Sequence, residues 1–180
     1  MRTRCFTLGV AAALVSGALA SASAQTVVLL PDTSQTTTVS ANVNEQARVA
    51  VPSGITFTVS NIGTSTAASA ASVTVDQIVT SSATKQLKIS LQANAASFTP
   101  PVGGATTWSA GDVTWNAASW TNATGAGGTL SNSAYTTVAT CTADTTACST
   151  TGLVFTLGAK TTVQRSGTHT LVVTWKFESI

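Results

Sequence analysis

Apolar and polar residues alternate with a period of two along most of this chain, and that period belongs to half-buried β-strands. Across residues 168–178, His169, Leu171, Val173, Trp175 and Phe177 share one face. Thr168, Thr170, Thr174, Lys176 and Glu178 share the other. The spacing predicts a central core strand there, with Leu171, Val173, Trp175 and Phe177 buried. Ile55, Phe57 and Val59 alternate with Thr56, Thr58 and Ser60, and Leu87, Ile89 and Leu91 with Lys88, Ser90 and Gln92. Val73 and Val75 alternate with Thr74 and Asp76, and Leu153, Phe155 and Leu157 repeat the pattern. Weaker strand signals fall at residues 26–30, 36–43, 46–51, 112–115 and 135–140.

Turn chemistry separates these runs. Pro52-Ser53-Gly54 predicts a hairpin joining residues 48–51 to 55–60. Asn61-Ile62-Gly63 closes the next run, and Arg165-Ser166-Gly167 precedes the last. Residues 64–72 read as a loop. Beyond the N-terminus no long stretch shows the 3.6-residue period of a helix. About eight short strands with turns between them predict an all-β chain, an antiparallel β-sandwich of immunoglobulin-like or jelly-roll type. The exception is residues 94–128, broken by Pro100-Pro101, Gly103-Gly104 and the glycines at 125, 127 and 128. Three of the four tryptophans lie in it. Composition agrees with β: 35 threonines and 21 serines suit a pleated, half-wet surface better than a helix.

The N-terminus has a different character. Arg2 and Arg4 precede an apolar run from Cys5 to Leu19, and Ala22-Ser23-Ala24 supplies small residues for a signal peptidase. The run is too short for a bilayer core of about 30 Å, so residues 1–24 read as a cleaved secretory signal peptide and not as an anchor. Residues 25–180 then form a single β-sandwich domain, secreted to the periplasm, the cell surface or the extracellular space.

Loss of the signal changes the charge. The chain has 8 basic and 6 acidic residues, and removal of Arg2 and Arg4 makes the balance even. A neutral body has no electrostatic footprint for nucleic acid or anionic lipid. Most of the strand runs fall short of the roughly 9–11 residues of a membrane-spanning strand. Cys5 also leaves, so Cys141 and Cys148 remain as a pair in an oxidising compartment, and a disulfide between them is expected. Its short loop predicts a contribution of only about 2 kcal/mol.

Catalytic chemistry is sparse. His169, the single histidine, falls on an apolar strand face, the position of a hydrogen-bonded structural histidine. Asp32, Glu45, Asp76, Asp112, Asp144 and Glu178 are scattered singly, without the facing pair of a glycosidase or the clustered oxygens of a calcium loop. No glycine-rich phosphate loop follows a strand and opens a helix. The expectation is a non-enzymatic protein with no catalytic residues, no metal and no cofactor. Asn122-Ala123-Thr124 matches a glycosylation sequon.

Trp108, Trp115 and Trp120 have two readings. They cover the end of the fold, or they form a solvent-facing row that stacks on sugar rings or a partner protein. The signal peptide, neutral Thr-rich body and one disulfide broadly resemble secreted bacterial fimbrial or coat-type subunits. That resemblance implies a structural or adhesive role in the envelope or extracellular matrix. Self-association, or binding of another surface protein through a strand edge, is the expected mode. Residues 36–43, with no charge and no proline, are the segment freest to add to a neighbour's sheet. The alternative is a carbohydrate-binding module using the tryptophans. N-terminal sequencing of exported protein is expected to begin at Gln25, and a mature chain still carrying Met1 counts against the signal peptide.

Overall fold

The computed structural model describes Ser34 and residues 36–180. The signal peptide and the strand expected at residues 26–30 lie outside them. The chain divides into Met1–Ala41 and Asn42–Ile180, and the sheets belong to the second unit.

Among the described residues the regular structure is all-β apart from one 3₁₀ turn, Ala110–Asp112. The strands are β1 (Gln46–Ala50), β2 (Thr66–Ala67), β3 (Ala71–Val79), β4 (Leu87–Ala93), β5 (Val113–Trp115) and β6 (Ala123–Gly125). They continue with β7 (Gly128–Thr129), β8 (Thr136–Cys141), β9 (Cys148–Leu153), β10 (Phe155–Leu157) and β11 (Val173–Ser179). Three antiparallel sheets result, ordered β1-β3-β9, β2-β10-β5-β7 and β11-β4-β8-β6.

Alternation builds the interior where strands have neighbours on both sides. In β4, Leu87, Ile89, Leu91 and Ala93 are all buried, and in β3 so are Val73 and Val75. A bulge then shifts the phase of β3. Gln46 opposes Val79 whereas Arg48 opposes Asp76, so β3 carries the extra residue. Gln77 takes φ 51, and the kink turns Ile78 inward. One apolar cluster includes Val73, Leu91, Trp115, Leu153 and Phe155, and a second includes Val75, Ile89, Ala139 and the two cysteines.

Cys141 and Cys148 are bonded, with Cα atoms 5.9 Å apart. The bond closes a short loop, as expected, but its ends belong to different sheets. Cys141 ends β8 and Cys148 starts β9, so the covalent link joins the β11-β4-β8-β6 sheet to the β1-β3-β9 sheet inside the second cluster.

Several strand expectations need correction. The C-terminal run is an edge and not a central strand: β11 pairs only with β4, and every residue of it is half-buried. Its N-terminal part keeps only a single bridge, Thr99 to Thr170. Pro52-Ser53-Gly54 makes no hairpin, because β1 pairs with β3 and leaves residues 55–60 behind. Those residues alternate in burial as the pattern predicts, with Ile55, Phe57 and Val59 inward, yet they belong to no strand. The following turn is present: Asn61 Oδ1 accepts from the Gly63 N–H at 2.8 Å. Residues 64–72 contain β2 and the start of β3 where a loop was expected, and residues 36–43 form no strand.

Leu91→Ala removes a fully buried side chain and is expected to cost about 2–5 kcal/mol in urea denaturation. Reduction of the disulfide should cost about 2 kcal/mol, leaving a folded protein. A reduction that unfolds the protein outright would show that the link between sheets matters more than loop entropy.

Candidate functional site: an open groove

An open concavity follows from the two unfinished edges. Residues 55–60 form one bank, the outer edge of β11 and the chain leading into it form the other, and the groove between them has a volume of about 1010 Å³. Its floor is apolar, with Leu91, Trp108, Leu130, Phe155 and Leu157. Ile55, Phe57, Leu171, Val173 and Trp175 line the sides, half-buried against the first cluster. Backbone N–H and C=O groups are obligatory hydrogen-bonding groups. Among the described residues, 55–60 make no backbone–backbone hydrogen bond, and β11 offers its outer edge to no strand.

The mouth is held by His169. Its Nε2 lies 3.1 Å from the Arg165 carbonyl, and its Nδ1 lies 2.7 Å from Thr107 Oγ1. A carbonyl only accepts, so Nε2 carries a proton, and in the neutral ring Nδ1 accepts from the Thr107 hydroxyl. The ring also meets Trp108 edge-on, 5.3 Å between centroids. Arg165 sits at φ 72 and Gly167 at φ 129. A side chain at Gly167 would meet both this φ and the ring of Pro101, 3.0 Å from where its Cβ would lie. His169 thus fixes the loop that enters β11.

The tryptophans do not form a surface row. Trp108 and Trp115 are 5% and 4% exposed, and their indole N–H groups donate inside the protein, to the Gly158 carbonyl at 3.0 Å and the Ala126 carbonyl at 2.9 Å. Satisfied internally, they act as core. Gly128 lets Trp115 lie across the β5–β7 pair, since a Cβ there would come within 2.5 Å of the indole. Trp120 is half-buried, and its indole N–H has no acceptor among the described residues. Of these three, only Trp108 contributes to the groove, as part of its floor.

Carboxylates are engaged in ion pairs away from the groove. Asp76 accepts two bonds from Arg48 at 2.6 and 2.7 Å across β1 and β3, and hydrogen bonding to that guanidinium holds its carboxyl low. Asp112 pairs with Lys160, and Glu178 with Lys88 and Lys176. No group of three or more His, Cys, Asp or Glu side chains capable of holding a metal occurs among the described residues. Glu45 stands at the root of the N-terminal segment. Its Oε1 accepts from the Ser81 N–H at 2.6 Å, and lies 3.3 Å from Lys85 Nζ and 3.4 Å from Ser179 Oγ.

The sequence pattern named the side chains of both banks, including Ile55, Phe57, Leu171 and Trp175, but as separate strands. Nothing in it signalled that residues 55–60 would pair with no strand and β11 with only one. Comparison with family models, with curated proteins and with solved structures finds no match.

Hydrogen bonding from the Ser81 side chain and then its backbone, with help from Lys85, lowers the Glu45 carboxyl to about 2 from 4.5. A depressed carboxyl stabilises the fold fully above its unfolded value and stops doing so as pH falls through its folded value. Glu45→Gln is therefore expected to lower the urea midpoint at neutral pH, with the gap from wild type closing as pH approaches about 2. A gap that persists unchanged at that pH would assign the loss to packing instead of charge.

Proposed function

We propose that the protein is a secreted, non-enzymatic structural or adhesive subunit of the cell envelope or extracellular matrix, a fibre or coat component that joins its neighbours through open strand edges. Its body is an antiparallel β-sandwich of immunoglobulin-like or jelly-roll type. The observation that carries this reading is the groove, apolar and flanked by residues 55–60, which pair with no strand, and by β11, which pairs on one side only. Soluble monomers protect such edges with charge, proline or bulges. Here one bank is Ile-Thr-Phe-Thr-Val-Ser, with none of these.

Other features are consistent with it. A buried disulfide suits an oxidising compartment. The even charge balance after Arg2 and Arg4 gives no long-range repulsion between copies. His169 and the paired carboxylates are used to hold loops and strands. The glycan alternative draws no support from Trp108 and Trp115, whose rings are buried.

Sedimentation velocity of the purified mature protein, with electron microscopy of the same samples, tests the proposal. Assemblies that grow with concentration are expected. A protein that stays monomeric at the highest attainable concentration overturns it.

A further inference from the structure

If copies associate through open strand edges, as proposed above, the groove has a definable partner. It must be extended, must carry apolar side chains at alternate positions, and must bring no charge into a cleft whose one charged lining residue is Arg165. We infer that residues 36–43 of a second copy fill the groove as an added strand antiparallel to β11, so that copies join head to tail.

The segment Thr-Thr-Thr-Val-Ser-Ala-Asn-Val has the required character. It contains no charge, proline or glycine, and its β-branched residues favour extended backbone. Val39 and Val43 are 92% and 66% exposed, so their apolar surface is available. Val39, Ala41 and Val43 would share one face of an extended strand. That face would cover the half-buried Ile55, Phe57, Leu171 and Trp175.

Direction decides between the chain's own segment and that of a second copy. Glu45 is bonded to Ser81 and lies beside Ser179, at the C-terminal end of β11. Residues 36–43 run toward Glu45, and β11 runs toward Ser179. Laid along β11 of its own copy, the segment would therefore run parallel to it. Every strand pair described here is antiparallel, and parallel pairing is somewhat less stable per residue. A second copy has no such tether to that end and can enter antiparallel. Donor segment and acceptor groove are different surfaces, so the contact is heterologous and repeats without closing unless a rotation happens to form a ring.

The test compares the intact mature protein with its Val39→Asp variant by sedimentation velocity, with circular dichroism confirming that both are folded. Residue 39 is exposed, so the substitution leaves the core untouched. A synthetic peptide covering residues 34–45 is added in excess to the wild type, beside the same peptide carrying Val39→Asp. The expected result is an association constant lowered on the order of tenfold or more in the variant, since a carboxylate would enter an apolar cleft. The wild-type peptide should shorten the assemblies, and the substituted peptide should not. If wild type and variant assemble equally and neither peptide acts, the segment is not the occupant, although self-association stands. If the wild type is monomeric throughout, the self-association reading itself falls, and this inference with it.

Discussion

Backbone hydrogen bonding is the constraint on which the rest of this structure depends. A strand is stable when its N–H and C=O groups are paired and one face is dry, and β3, β4 and β8 meet both conditions between two neighbours. Residues 55–60 and the outer side of β11 meet only the second. Their inward side chains pack on the first apolar cluster, while their backbone edges face each other across a groove instead of across a ladder. The half-buried state of β11, the absence of a strand at residues 55–60 and the apolar groove they line are one feature seen from three sides.

The side-chain pattern was legible in the sequence because it is local. Leu87, Ile89 and Leu91 read as an inward face and are one, and Ile55, Phe57 and Val59 point inward even without a sheet. Pairing is not local. Pro52-Ser53-Gly54 has hairpin composition, but β1 finds its partner in β3, on the far side of a turn that composition does not foretell. The C-terminal run shows the same limit. Its alternation is the clearest in the chain, and alternation says which face is apolar but not whether a second neighbour exists to bury it. The tryptophan segment left two readings open for a related reason. Indoles in a glycine-rich stretch suit a surface platform, yet the glycines are what let Trp115 fold across the β5–β7 pair.

Ion pairs play a narrower part. Lys160 and Asp112 hold the chain after β10 to the 3₁₀ turn, and Arg48 and Asp76 fasten β1 to β3, where an exposed pair contributes little to stability by itself. Their positions matter more than their energies. With four of the carboxylates committed to strand and loop contacts, the groove keeps a lining with a single charge, and an uncharged strand meets no desolvation cost from a facing carboxylate there.

The disulfide has a mechanical meaning. Tension drawn through the N-terminal segment enters the body at β1, while tension on a strand seated against β11 enters at the opposite sheet. Between those two points of loading the sheets are joined covalently by residues 80–86 between β3 and β4 and by the Cys141–Cys148 bond between β8 and β9 in the second cluster. A filament of such units would transmit force in series through the welded pair of sheets, and sliding of one sheet over the other would be resisted by a bond and not by side-chain packing alone.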